Sequence, residues 1–129
     1  MNKLQEMLDM QNKFQQSLGQ DIEGMVTKER TAFIKEHSIH ATQEMHEMLY
    51  ELPYFKPWKD YGGMELPEIA VAFNTAREEF VDMWHFVLNM ALALGYTCAD
   101  DIYDDYSSKH KENYDRQKQG YTHDVSYRE

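Results

Sequence analysis

The segment from Arg77 to Gly95 constrains the fold of this chain more than any other stretch. It is predicted to be a helix with apolar residues on nearly every side, and such a helix belongs in the middle of a bundle. A polar line nevertheless runs along it, formed by Glu79, Asp82, His85 and Asn89. Because a buried carboxylate without a partner costs several kcal/mol, this line is predicted to face a metal site.

The rest of the chain also favours helices. It has only 6 Gly and 3 Pro among 129 residues, while Met, Leu, Glu and Gln are plentiful. Helices are predicted from Asn2 to Leu18, from Thr27 to Leu52, from Pro67 to Leu94, and from Thr97 to Gly120. Thr97 is expected to open the last helix in a capping-box-like arrangement with Asp100. With no repeat or linker, residues 1–129 are predicted to form a single all-α domain, with a polar tail at 121–129.

Charge and hydropathy exclude several classes of partner. A net charge of −10 argues against binding nucleic acid. No apolar run approaches the ~20 residues that span a bilayer, and the charged N-terminus lacks the apolar centre of a signal peptide, so no membrane partner is expected. The single Cys98 rules out an internal disulfide and suits a reducing cytoplasm, which would be the host's if the source is viral.

A second acidic row lies on the second helix, where Glu44, Glu47 and Glu51 follow the spacing i, i+3, i+7. By itself such a row is usually a solvated face. The second and third helices are joined by a loop of about 14 residues and should lie antiparallel, so Glu44 and Glu47 can oppose Glu79 and Asp82. Carboxylates converging from two helices make an oxygen-rich site for Mg²⁺ or Mn²⁺.

Polar residues near the N-terminus leave two interpretations open. Gln11 interrupts the apolar stripe of the first helix, where it either bonds a neighbouring helix or contacts a polar ligand. On the second helix, His37, His40 and His46 are expected at the surface, since no matching Cys or His set for zinc appears elsewhere.

The loop over residues 52–63 cannot be helical throughout, because it contains two prolines and a Gly pair. Its aromatic residues suggest that it folds down as a lid or plug. Phe55 and Trp58 either cap the core, or Trp58 packs on a flat ligand while Lys56 or Lys59 meets the ligand's charge.

The fourth helix carries an unusual line. Ile102 and Tyr106 start it, but Lys109, Asn113 and Arg116 continue it. Lys109 and Arg116 would then point in the same direction as the apolar residues that start the line. Two cationic side chains in that position could bind a polyphosphate, the anion that usually accompanies Mg²⁺. Residues for a base or sugar would then remain in Gln11, Trp58 and Asn113.

These motifs resemble those of the all-α nucleoside triphosphate pyrophosphatases, the MazG-like superfamily. The pairs Glu44-x-x-Glu47 and Glu79-x-x-Asp82 resemble its signature, and Phe55 to Lys59 resembles the Phe-Lys-x-Trp-Lys loop of the dimeric dUTPases. The resemblance to the dCTP/dUTP pyrophosphatase group of T-even bacteriophages is carried by three segments: Met7–Gln11, Phe80–Met90 and Lys109–Tyr121. Together the motifs cover most of the chain, excepting Asp21–Ile39 and the tail.

The resemblance implies a four-helix MazG-like bundle that assembles as a homodimer or higher homo-oligomer. It implies hydrolysis of dUTP, or of dCTP, to the monophosphate and pyrophosphate with Mg²⁺. The implied metal ligands are Glu44, Glu47, Glu79 and Asp82, with Glu47 favoured to orient the attacking water. The implied phosphate-binding residues are Lys59, Lys109, Arg116 and Tyr121, and those near the base or sugar are Gln11, Trp58, His85, Asn89 and Asn113.

Three alternatives remain open from the sequence. One is a broader MazG-like specificity, because no residue settles the choice between uracil and cytosine. A second is a helical protein that binds nucleotide without catalysis. A third is a di-iron bundle, since Asp82-x-x-His85 mimics half of that motif, although no second Glu-x-x-His lies on another helix.

Overall fold

The computed structural model describes residues 2–120, and this part of the chain contains four α-helices and no strand. They are α1 (Lys3–Ser17), α2 (Thr27–Glu51), α3 (Leu66–Ala93) and α4 (Ala99–Lys118). The all-α prediction is confirmed, and the predicted helices match within two residues at their ends. None of these helices combines the length and apolarity needed to cross a membrane.

The chain divides after Thr97 into two compact units. The first contains α1, α2 and α3, and the second contains α4. The single-domain interpretation stays a prediction.

Local sequence signals determine where the helices of the first unit begin and end. Asn2 caps α1, because its side-chain oxygen accepts a hydrogen bond from the backbone N–H of Gln5 at 3.1 Å. At the end of α3, Gly95 has a φ of 103°, which a residue with a Cβ rarely adopts. The N–H groups of Gly95 and Tyr96 donate to the carbonyls of Leu92 and Ala91, so the last turn of α3 is closed as a Schellman motif.

Helices α2 and α3 pack antiparallel, as predicted from the sequence. Residues that come later in α2 contact residues that come earlier in α3. In order along α2, the contacts join Arg30 to Ala93, His37 to Asn89, and His40 to Phe86. The first of these closes the end of α3, because the Arg30 guanidinium donates to the Ala93 carbonyl at 2.9 Å.

Helix α3 lies in the middle of its unit, since it packs against both α1 and α2. Its buried residues join those of α1 and α2 in one small core, lined by Leu8, Ile22, Phe33, Ala41, Ala76, Leu88, Leu92 and Ala93. The indole N–H of Trp84 also donates to the sulfur of Met7 on α1 at 3.4 Å. Another face of α3 remains exposed and apolar, formed by Leu66, Phe73, Phe80 and Val81. We call these residues the apolar face of α3.

Helix α4 begins one residue later than the capping pattern predicted. Cys98, not Thr97, is its N-cap, and the Cys98 side chain makes no capping hydrogen bond. The predicted split of charge is present, with Asp100 and Asp101 in the first turn and Arg116 and Lys118 in the last. This split of charge stabilises the helix through its dipole.

Candidate metal centre

Three of the predicted acidic ligands meet between α2 and α3. Glu44 comes from α2, and Glu79 and Asp82 lie one turn apart on α3. Each offers a carboxylate oxygen, and these oxygens all lie within 4.8 Å of one another. The antiparallel packing brings them together, because Glu44 continues the series of α2 positions that face α3.

The carboxylates raise one another's affinity for protons. Burial, followed by hydrogen bonds with Glu47 and Glu79 and by the charges of Glu47 and Asp82, raises the pKa of Glu44 from 4.5 to about 7. For Glu79 the hydrogen bond with Glu44 acts to lower the pKa. Desolvation and the neighbouring Glu47 and Asp82 outweigh it, so the pKa of Glu79 is also raised. The site therefore concentrates negative charge that its own residues do not neutralise.

The chemistry of this trio fits a small divalent cation. The Oε2 atom of Glu44 is buried with no hydrogen-bond partner among the described residues, and an orphaned buried oxygen is costly. Within residues 2–97, no Lys, Arg or His forms an ion pair with any of the three carboxylates. Three carboxylate oxygens gathered from two helices could therefore serve as ligands of Mg²⁺, which prefers oxygen donors.

The donor set also separates the metal hypotheses. Only carboxylates form the trio, and His85 is not part of it. Oxygen ligands without imidazole favour Mg²⁺ or Mn²⁺ over iron. The described residues therefore support the first interpretation of the third helix and give the di-iron alternative no ligand set.

The fourth predicted ligand, Glu47, stands beside the trio. Its side chain is exposed and lies outside the 4.8 Å group, yet it interacts with both Glu44 and Glu79 closely enough to raise their pKa values. A carboxylate next to the ligands but not among them can hold a water molecule that the ligands do not.

The predicted polar line along α3 does not stay together. Asp82 and His85 are exposed, whereas Asn89 is only 2% exposed and lies 3.2 Å from the His37 ring on α2. At 100° per residue, His85 is about 120° around the helix from Glu79, which explains the divergence. The expectation that His37 is a surface residue was wrong. Its ring packs between Phe33 and Phe86, and burial lowers its pKa, against the charge of Glu36 and together with that of His40.

Gln11 is buried, with 7% of its surface exposed, and its side chain forms no hydrogen bond with another described residue. The described residues thus show no bond to a neighbouring helix, and the two interpretations of Gln11 stay predictions. Asn89 is in a similar position, because its Oδ1 atom is buried without a partner in the same part of the chain. Both amides keep hydrogen-bonding capacity for a ligand.

The aromatic loop between α2 and α3 lies over the end of α2. Trp58 does not cap the core, since 80% of its surface is exposed. Phe55 contacts the Tyr50 ring with centroids 5.4 Å apart, and the Lys56 amine lies 5.0 Å from that ring's centre. Lys59 lines a recess of about 420 Å³ in this loop, together with Glu51 and Tyr61. The loop thus presents both an open aromatic face and a cation.

The predicted phosphate ligands on α4 are exposed and share one counter-ion. Lys109 and Arg116 reach Glu112 from either side, at 3.4 and 2.6 Å. Exposed pairs of this kind are worth at most about 1 kcal/mol, so a phosphate can displace them. Asn113 is also exposed. Tyr121 lies outside the described residues.

One buried polar residue, Gln15, was not predicted from the sequence. Gln15 is 5% exposed, and no described residue accepts or donates a hydrogen bond to its side chain. It lies one turn after Gln11 on the same face of α1. That i, i+4 spacing of two glutamines on a helix with a core-facing stripe was the available signal.

A family model described as dUTPase matches residues 3–100 of the chain. The chain belongs to this dUTPase family. The matched residues include α1, α2 and α3. The three carboxylates of the candidate metal centre therefore lie within the part of the chain that matches the family model.

The family assignment is joined by one relative. The dCTP pyrophosphatase of Enterobacteria phage T4 is 49% identical over 43 residues, which are 33% of this chain and 25% of that protein. The matched segment thus spans a quarter of the relative's length. The resemblance to the dCTP/dUTP pyrophosphatase group is confirmed by these two findings. No solved structure gives a significant match.

Proposed function

We propose that this protein is a divalent-metal-dependent hydrolase that converts dUTP, and also dCTP, to the nucleoside monophosphate and pyrophosphate. The observation that carries the proposal is the trio Glu44, Glu79 and Asp82, with its unpartnered oxygen, in a chain of the dUTPase family. The relative from phage T4 is named a dCTP pyrophosphatase, which supports dCTP as a second substrate.

In the proposed mechanism, Glu44, Glu79 and Asp82 hold Mg²⁺, or Mn²⁺ in its place. When bound, the ion neutralises charge on the phosphates and makes water a better nucleophile at neutral pH. Glu47 orients the water and accepts its proton, as its place beside the trio allows. The water oxygen bonds to phosphorus while the bridging P–O bond breaks, and pyrophosphate leaves. Lys59, Lys109, Arg116 and Tyr121 would bind the phosphates.

A product assay tests this proposal. Eight ribo- and deoxynucleoside triphosphates are incubated with the protein and Mg²⁺, and pyrophosphate and monophosphate are quantified. We expect pyrophosphate from dUTP and dCTP, and none after chelation of the metal. Comparable turnover of all eight would point to a broader MazG-like specificity. Nucleotide binding with no product from any of them would leave a non-catalytic nucleotide-binding protein.

We further propose that the protein is a homodimer. The apolar face of α3 carries large exposed side chains, and a second copy would cover them. Light scattering is then expected to give about twice the 15.4 kDa of one chain. A mass of 15.4 kDa at micromolar concentration would contradict it. The proposed activity also implies a cytoplasmic location, in the host cell if the source is viral.

A further inference from the structure

The fourth helix, α4, carries a row of exposed aromatic side chains. Tyr103, Tyr106, His110 and Tyr114 follow the spacing i, i+3, i+7, i+11, which places them on one side of the helix. The rings of Tyr106 and His110 stack with their centroids 6.3 Å apart, and the His110 ring lies 6.5 Å from that of Tyr114. The three tyrosines are each at least 60% exposed. An ordered row of exposed rings indicates an interaction surface.

The two ends of this aromatic row carry opposite charges. Asp100 lies in the first turn of α4 and Lys118 in the last. They stand about five helical turns apart, so both lie on the same flank of the helix, beside the row. Within residues 98–120 neither side chain forms an ion pair, and the Lys118 amine lies 5.5 Å from the centre of the Tyr114 ring. Each charge is therefore available to a partner of opposite sign.

The aromatic row and the two charges share one midpoint. The row from Tyr103 to Tyr114 and the pair formed by Asp100 and Lys118 are both centred within about half a residue of position 109. The helix dipole explains why the acid comes early and the base late, but it does not set their flank or their common centre with the row. Contact between two identical helices requires such a centre, because a two-fold axis brings residues together in pairs about one point.

We propose that α4 pairs antiparallel with α4 of a second copy of this chain. The two-fold axis passes at the level of position 109, so Asp100 of each copy faces Lys118 of the other. In this register the rings alternate along the contact. Tyr114 of the second copy lies at a level between Tyr103 and Tyr106 of the first, and the contact covers the exposed rings of both helices.

The proposed contact leaves the predicted phosphate ligands free. Lys109 and Arg116 lie about 100° or more around α4 from the centre of the aromatic row, on another side of the helix. A pair of 20-residue helices buries less than the roughly 800 Å² per partner of a standard interface. The α4 contact is therefore weak by itself and strengthens an assembly of copies that another surface also holds.

The first test asks whether two α4 helices meet in this register. His110→Cys is made together with Cys98→Ser, which removes the single native thiol, and disulfide formation under mild oxidation is followed on a non-reducing gel. In the proposed register the two copies of position 110 are offset by only about 3 Å along the helix axis, so a disulfide can join them.

Ser108→Cys in the same Cys98→Ser background is the matched control. Both positions are exposed, but position 108 lies on the opposite side of α4 from the aromatic row. Position 110 is expected to cross-link at least about ten times faster than position 108. Equal rates at the two positions would overturn the proposed contact.

The second test exchanges the charges in the chain that carries His110→Cys and Cys98→Ser. Asp100→Lys alone places two pairs of like charges across the contact, and so does Lys118→Asp alone. Each is expected to slow cross-linking about fivefold or more at low ionic strength, and added salt should reduce the difference.

A mixture of the two charge variants, one of them tagged for size, separates contact between copies from an effect within one helix. In the mixed pair every lysine again faces an aspartate, so the mixed disulfide should form at the rate seen without the charge changes. Both variants weaken the helix dipole, and mixing does not alter that. A mixed product that forms as slowly as the unmixed ones would overturn the register. No nucleotide is present in these assays, so their outcome is independent of the hydrolase proposal.

Discussion

Glu79→Gln and Asp82→Asn are each expected to lower kcat/KM for the deoxynucleotide substrate by about 10³-fold or more, while the protein keeps its helical fold. Each change replaces one of the three carboxylates gathered between α2 and α3 with a neutral amide, which is a poorer metal ligand. Neither side chain is fully buried, and each amide has nearly the same size as the carboxylate it replaces. The substitutions therefore leave no cavity in the core. Steady-state kinetics with pyrophosphate detection, and circular dichroism for the fold, measure the two effects.

Glu78→Gln is the matched control for these variants. Glu78 is the exposed neighbour of Glu79 on the same turn of α3, and it does not belong to the trio. It should retain wild-type activity, because removing one charge from a surface carrying −10 changes the local field only slightly. Wild-type turnover by both Glu79→Gln and Asp82→Asn would show that the reaction takes place elsewhere.

The free energy of unfolding of the metal-free protein is expected to fall as pH rises from about 4.5 to 7. Glu44 has its pKa raised to about 7 in the folded protein, so over this range the folded state binds more protons than the unfolded state. Stability from the protonated group is present below pH 4.5 and is lost as pH rises through the folded pKa. A saturating divalent ion should reverse the loss, with a gain of about 2.7 kcal/mol at a concentration of 100 times its Kd.

Glu44→Gln separates the two effects. At pH 8 without metal it should be more stable than wild type by about 1 kcal/mol, a figure that allows for solvent screening of a half-buried group. This corresponds to roughly 4 °C in melting temperature. It should gain little from Mn²⁺, because the amide is a poorer ligand than the carboxylate. A variant that melts below wild type at pH 8, or that responds to Mn²⁺ as wild type does, would contradict the metal assignment.

The sequence was sufficient to predict the features that depend on periodicity. Four helices, the antiparallel pair and the convergence of Glu44 with Glu79 and Asp82 all follow from spacing and loop length. These predictions succeed because each helix turns through a fixed angle per residue. The position of Gly95 just after α3 succeeded for a related reason, since only the backbone conformation at that point decides the residue type.

The predictions that failed concern which side of a helix packs against the neighbouring helix. His37 shares its side of α2 with the buried Phe33 and Ala41, yet spacing alone does not tell whether a polar member of such a row faces the core. Gln15 was missed for the same reason. The contacts of Trp58 and the N-cap of α4 could not be read from the sequence, because both depend on a path through residues without a repeating pattern.

The antiparallel pairing of α2 and α3 limits how this chain can change in length. One residue inserted between His40 and Glu44 would rotate Glu44 by about 100° and remove its oxygen from the trio. An insertion in the segment from Leu52 to Glu65 would leave both helices in register. Descendants of this gene can therefore gain or lose residues in the loop between α2 and α3. Within the two helices, substitutions are tolerated but insertions and deletions are not.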